Sequence, residues 1–442
     1  KPLSPVPVPT ASQLAIMDMG LSQFLCYNID PFANPHVEHN CVHKTETCLP
    51  ASLFNPTHET FTDQWVANAV AFGAGELCLT AHHEGGFCLW DSKYCAGYSV
   101  QESPYDRDIV ADFVASCKKY GVRPCFYWGP NANGWLEYNQ SVPTAEYYEL
   151  QAGQLTELLT NYGPIARLWW DHYPAEANTN GLAPCPESWN TSTWWFFADL
   201  AHKLQPDVLI CPGPDCTGHL GEGGVGKYPV WYACDPSVPD GLNCLQHTPT
   251  GSAFKPLETC ATSLAAHAWF ANGTGEGQLS WSLETYVDTF MNSVGIGYVN
   301  TVNAAPGTTG YVADDVVAIQ KEFGEVVIKP LMNPVASVGN LSAPCAEAVF
   351  ELDIPSGAVV NVTQLREDLS HGQRIAGYAL DALLDGTWRA VPDAHNQTVG
   401  ARLIDRFPAM APAKLRWSCT MSLQDPVYLS SFSAHVITMP QV

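Results

Sequence analysis

The sequence predicts a parallel (β/α)8, TIM-like barrel followed by a β-sandwich. Two patterns carry the first half of that expectation. Short apolar runs alternate with segments of helical period over about 300 residues, the pattern of a parallel sheet with helical crossovers. Eight such runs can be counted, the number that closes a barrel of this kind. A third observation carries the second half. Past about residue 330 the texture changes to short alternating runs broken by Gly, Pro, Asp and Asn, as in an all-β sandwich. The expected division is a barrel over 1–330 and a sandwich over 331–442.

The elements follow in order. Residues 1–20 are Pro-rich, and 24–28 form the first apolar run. Residues 36–56 are an irregular loop with Cys and His. Phe61, Trp65, Val66 and Val70 share one helical face over 60–72, and the run 76–81 leads into His82-His83-Glu84-Gly85-Gly86. A helix over 107–120, ended by Gly121, precedes a strand over 123–128. A helix over 145–162 is stopped by Gly163-Pro164, and the strand 166–170 ends on Asp171. The helix 192–204 precedes a strand over 208–211. A sixth strand is expected at 230–234, a seventh near 261–269, and an eighth at 298–302 behind the helix 283–293. In the second half, runs at 348–352, 359–362, 374–380, 414–418 and 435–439 read as sandwich strands.

Bulk properties narrow the function. The net charge of −24 repels phosphate backbones and anionic surfaces, so nucleic acid is not an expected partner. No apolar run is long enough to span a membrane as a helix. Sixteen Cys residues and six N-x-S/T sites, at Asn139, Asn190, Asn272, Asn340, Asn361 and Asn396, point to the secretory route. Proximity or a shared domain suggests Cys41/Cys48, Cys88/Cys95, Cys211/Cys216, Cys234/Cys244 and Cys345/Cys419 as bridges. Cys78 and Cys125 sit in apolar runs and read as ordinary buried thiols.

The candidate chemistry lies where strands end. Asp171, after Trp169 and Trp170, is either a cap for the next segment or a catalytic carboxylate at a barrel mouth. Glu222 sits in the Gly-rich stretch 219–224 beyond the fifth strand, either as a solvated loop acid or as a partner for Asp171. Two carboxyls about 5–5.5 Å apart make a retaining glycosidase. His83 and Glu84 could bind a metal or hydroxyl groups. No HExxH-type helix is present, and polyol binding suits their donors and acceptors better. Trp90, Trp128, Trp169 and Trp269 could stack on a sugar or serve as core.

Several stretches resemble family 29 of the glycoside hydrolases, the α-L-fucosidases. TAHHEGGFCLWDSKY (80–94) resembles that family's TAKHHDGFCLWPSKY. LTELLTNYGPIARLWWD (155–171) resembles its helix-strand unit ending in the nucleophile. GPDCTGHLGEGG (213–224) resembles the GPD…GNEAG segment of the branch acting on α-1,3/1,4-fucosides. MNSVGIGYVNTVNAAPGTTG (291–310) resembles the run at the eighth strand, and 365–389 the C-terminal sandwich. The resemblance implies Asp171 as nucleophile and Glu222 as acid/base. It implies His83 on the sugar hydroxyls, Trp90 and Trp169 in the pocket wall and Tyr127 at its base. Glu258 and Trp269 match a further substrate-side segment. The chain departs from the pattern at Cys26 and Glu84, each where relatives carry His, and at Thr217, where they carry Arg. Cys26 and Glu84 are kept among the substrate-side candidates.

The expected activity is therefore a retaining exo-α-L-fucosidase without cofactor or metal. Its partner would be a fucosylated oligosaccharide or glycoconjugate, and its place extracellular, vacuolar or lysosomal. A related exo-glycosidase of altered specificity, such as a galactosidase, and a non-catalytic fucose-binding protein are the alternatives.

Overall fold

A computed structural model describes residues 6–36, 41, 48–129, 133–136, 145–171, 191–211, 213–216, 222–232 and 254–438. Among these, seven parallel strands form one sheet: β1 (Leu21–Leu25), β2 (Glu76–Thr80), β3 (Arg123–Tyr127), β4 (Arg167–Trp169), β5 (Leu209–Ile210), β6 (Glu258–Thr262) and β7 (Val299–Asn303). Their spatial order is β5-β4-β3-β2-β1-β7-β6. The sheet curls strongly. Arg167 on β4 bonds Glu258 on β6, although four strands separate β4 from β6 in the order of the sheet. Only a concave surface brings such distant strands within one side chain's reach.

Eight strands were expected, and seven are found among the described residues. The expected sixth strand, 230–234, falls partly outside them, and its described part joins no ladder. The Val230 N–H goes to the Ile296 carbonyl and the Tyr232 N–H to the side chain of Gln373, so neither is left for a strand neighbour. The first strand lies nearer the N-terminus than the apolar run 24–28. Past Leu25 the backbone is claimed by side chains: Tyr127's neighbour Thr80 accepts the Tyr27 N–H, and Asn303 accepts that of Cys26. The seventh apolar run, near 261–269, supplies strand only to Thr262.

The longer helices among the described residues are α1 (Ala11–Met19), α2 (Thr62–Phe72), α3 (Ile109–Tyr120), α4 (Ala145–Thr160), α5 (Thr191–Leu204), α6 (Leu283–Met291) and α7 (Asp314–Phe323). The third shows how local chemistry sets the bounds. The Asp108 side chain accepts the Ala111 N–H, and Gly121 closes the end at φ 73°, the left-handed region that glycine enters without a Cβ penalty. Ile109, Val110, Phe113 and Cys117 then form its buried stripe.

From residue 336 two four-stranded antiparallel sheets follow, ordered β13-β10-β15-β8 and β12-β11-β14-β9. Their strands are β8 (Ala336–Ala343), β9 (Val349–Asp353), β10 (Val360–Glu367), β11 (Ile375–Leu384), β12 (Thr387–Ala390), β13 (Leu403–Met410), β14 (Lys414–Ser422) and β15 (Val427–His435). Leu365, Leu403 and Phe432 from one sheet share a core with Leu352, Leu380 and Trp417 from the other. The expected run 435–439 meets a strand only at its first residue.

Five bridges are formed among the described cysteines: Cys41–Cys48, Cys78–Cys125, Cys88–Cys95, Cys211–Cys216 and Cys345–Cys419. Reading Cys78 and Cys125 as ordinary thiols is corrected. They are register partners on β2 and β3 and share a face, so neighbouring strands bring their sulfurs together. Cys234 and Cys244 lie outside the described residues, as do Asn139 and Asn190. No helix among the described residues is long and apolar enough to cross a membrane.

Candidate active site

Successive strand residues point to opposite sides of a sheet. On β4, Arg167 and Trp169 therefore share the concave side, and Asp171 follows two residues later. Tyr127 shares it on β3, Phe24 on β1, and Glu258 and Cys260 on β6. The alternation places a charged layer deep in the curl and an aromatic layer above it.

The deep layer centres on Arg167. Its Nη2 lies 2.7 Å from Glu76 Oε1 and donates to Ser22 Oγ at 3.2 Å and Thr301 Oγ1 at 3.1 Å. Its Nη1 donates to Glu258 Oε1. All three charged side chains are sealed, with at most 1% exposure. Burial pushes the Glu258 carboxyl up to about 7; the Arg167 guanidinium opposes that rise and Glu76 adds to it.

Above it, Tyr127 and Trp169 are register partners on β3 and β4, and their rings stack with centroids 5.5 Å apart and planes 14° from parallel. Strands spaced about 4.8 Å apart put flat side chains at that separation. His83 stacks on the other side of Tyr127 at 4.9 Å and meets the edge of Phe270 at 4.9 Å. Phe24 sets its edge against both Trp169 and Trp269, at 4.9 and 6.0 Å. The Trp169 N–H points down, donating to Glu258 Oε1 at 2.7 Å.

The two expected acids sit at the rim of this aromatic group. Asp171 is partly buried, and the Tyr127 hydroxyl donates to its Oδ2 at 3.0 Å. Burial, together with the negative charges of Asp171 and Glu84, holds the Tyr127 phenol protonated well above its usual range. Glu222 is exposed. Its Oε2 lies 2.8 Å from His267 Nε2 and accepts the Trp269 N–H at 3.4 Å. Cys260 joins the two sides: burial raises its thiol first, and the charges of Glu258, Glu222 and Asp171 raise it further.

The other expected residues divide. Cys26 and Glu84 are buried and close enough to the Tyr127 phenol to raise it, so they belong to the same group. His82 turns away, packing against Trp128 with centroids 6.1 Å apart, and burial lowers it to about 4. Trp90 lies in the hydrophobic core. It is sealed, and its N–H donates to Glu157 Oε2 on α4 at 3.0 Å. Glu258 lies under the aromatic layer, at 1% exposure, rather than on an open surface. Thr217 lies outside the described residues.

Some residues were passed over in the sequence. His267 is one; its place two positions before Trp269 was the available signal. It and Ala266 both lie in the left-handed region, at φ 60° and 57°, where non-glycine residues are uncommon and such strain gathers at functional sites. Asn303, at the end of β7, holds the Trp269 carbonyl at 2.7 Å. Arg167 and Glu76 carry no local signal, because each sits in a run that otherwise reads as apolar strand.

Comparison with known proteins places this arrangement in a family. The sequence profile described as Alpha-L-fucosidase matches residues 43–327. A curated relative, Alpha-L-fucosidase 1 of Arabidopsis thaliana, is 27% identical over 444 residues, covering 91% of this chain and 82% of its own. A solved structure of a glycoside hydrolase 29 family member from an unknown rumen bacterium superposes with a TM-score of 0.79 at 24% identity, covering 99% of this chain and 78% of that one. A Ruminococcus gnavus GH29 fucosidase solved in complex with fucose gives 0.73 at 18%, with 98% and 95% covered. At those identities the two structures speak to the fold.

Proposed function

The chain belongs to the α-L-fucosidase family of glycoside hydrolases, and from that premise we propose that it removes terminal α-linked L-fucose from glycans with retention, through Asp171 and Glu222. The observation that carries this reading is the Tyr127 hydroxyl bonded to Asp171 within a wall of His83, Tyr127 and Trp169 whose far rim bears Glu222.

Asp171 attacks the anomeric carbon as the bond to the leaving oxygen breaks, and Glu222 gives that oxygen its proton. Glu222 then takes a proton from water, which attacks the same carbon and releases the Asp171 carboxylate. The phenol of Tyr127 donates to one Asp171 oxygen, which directs the other toward the sugar. His83, Glu84 and the Trp169 face supply hydroxyl partners and an apolar surface for the ring. Preference for α-1,3/1,4 linkages rests on the segment 213–224. We take residues 1–330 as the catalytic part and 331–442 as its sandwich. The five disulfides support a secretory destination.

Hydrolysis of an aryl α-L-fucoside tests the assignment. Asp171→Ala should abolish turnover, and near-normal rates in that variant would end it. Glu222→Ala should slow poor leaving groups most and be rescued by azide; equal slowing on every leaving group would remove Glu222 from the role. A second reading, an exo-glycosidase of altered specificity, draws on Cys26 and Glu84 beside Tyr127, and a panel of aryl glycosides separates the two.

A further inference from the structure

The mechanism above uses no residue of the buried ionic layer. We propose that Glu258 and Arg167 are positioning residues for the reaction: Glu258, anchored by Arg167, fixes the Trp169 indole against Tyr127 and so aims the phenol that donates to Asp171. The proposal rests on the fucosidase reading and adds to it a second layer beneath the site.

The connection can be followed atom by atom. Glu258 Oε1 accepts from Arg167 Nη1, from Thr301 Oγ1 at 3.2 Å and from Trp169 Nε1 at 2.7 Å. Trp169 then stacks on Tyr127, and Tyr127 donates to Asp171 at 3.0 Å. A planar indole fixed at its N–H by a buried acceptor cannot rotate about its side-chain bonds without losing that bond. The stacked phenol inherits the constraint.

Stability alone does not account for this layer. Glu76 already pairs with Arg167, so a second sealed carboxylate brings a desolvation cost for a cation it must share. Buried ion pairs of this sort are often no more stable than apolar residues of the same volume. What Glu258 adds is one correctly placed acceptor for the Trp169 N–H.

A double-mutant cycle in the full chain tests this, with kcat and KM measured on an aryl α-L-fucoside beside thermal melts. Glu258→Gln should lower kcat about 10- to 100-fold while KM moves less than about 3-fold, the pattern of interactions lost mainly in the transition state. Trp169→Phe keeps a flat ring but has no N–H. In that background Glu258→Gln should cost less than about 3-fold more, because its effect runs through the missing group. Losses that multiply, or a loss confined to KM, would overturn the proposal. If Glu258→Gln does not fold, Thr301→Val replaces it in the cycle, with a kcat loss of about 3- to 10-fold expected that vanishes beside Trp169→Phe; multiplying losses again count against it. An active wild type with multiplying losses sinks this inference alone. A wild type inert on fucosides sinks the functional reading and this one with it.

Discussion

Tyr127 is the residue at which wall and nucleophile meet. It stacks between His83 and Trp169 and donates to Asp171. A neutral donor on a carboxylate stabilises its charge, and one such bond contributes about 1–2 kcal/mol when both groups are shielded from water. Tyr127→Phe keeps the stacking and removes only the hydroxyl. It should reduce kcat/KM on an aryl fucoside by about 10-fold, with a melting temperature near that of wild type. Unchanged kcat/KM would show that Asp171 is aligned by other contacts. In the sequence, Asp171 stands out as an acid at the end of a strand-like run, and Tyr127 is drawn to the same site only through the family resemblance. The bond between them was not legible there, since it depends on β3 and β4 being neighbours in register.

At the scale of elements, β2 and β3 carry His83 and Tyr127 and are cross-linked by Cys78–Cys125. The bridge closes a loop of 47 residues that contains α3, and linking such a loop restricts the unfolded chain by about 2–4 kcal/mol. Replacing both cysteines with Ala should move the denaturant midpoint down accordingly and leave KM nearly unchanged. A midpoint within error of wild type would show that the bridge adds nothing beyond the ladder. Apolar runs mark where strands lie and leave their partners open, so two cysteines 47 positions apart gave no hint of pairing. Cys41–Cys48 and Cys88–Cys95 were legible because seven residues hold each pair close whatever the fold.

For the molecule as a whole, buried ionisable groups set the dependence of stability on pH. Burial raises Glu258 to about 7 and Glu367, in the sandwich, to about 8. A carboxyl raised in the folded state binds its proton more readily there than in the unfolded chain. Its stabilising effect is complete below the unfolded pKa and is lost as pH rises through the folded one. Burial lowers His82 to about 4, so its contribution is complete above its unfolded value and lost as pH falls toward 4. The three effects partly offset one another at acidic pH. Between about pH 6.5 and 8 the two carboxyls act together with His202, where burial lowers the imidazole but the bond and charge of Asp215 raise it by more. All three lose their stabilising effect as pH rises, each proton contributing about 1.4 kcal/mol per pH unit. Melting temperature should therefore fall across that window, and Glu258→Gln should flatten the fall. A melting temperature that rises from pH 6.5 to 8 would contradict the burial of these carboxyls.

The sequence by itself determined the order of strands and helices, the change to an all-β region, and the two acids that follow the strand ends. Those features are written in periodicity and punctuation, which act over a few residues. Among the described residues it placed one strand more than the sheet holds, and it left open that Trp90 and Glu258 are sealed beneath the surface. Only the tertiary structure decided those points, because curling the sheet chooses which side chains face one another across it. The ionic layer under Trp169 joins residues from β1, β2, β4, β6 and β7, and no local pattern along a chain can record a contact that exists only once five strands share one concave face.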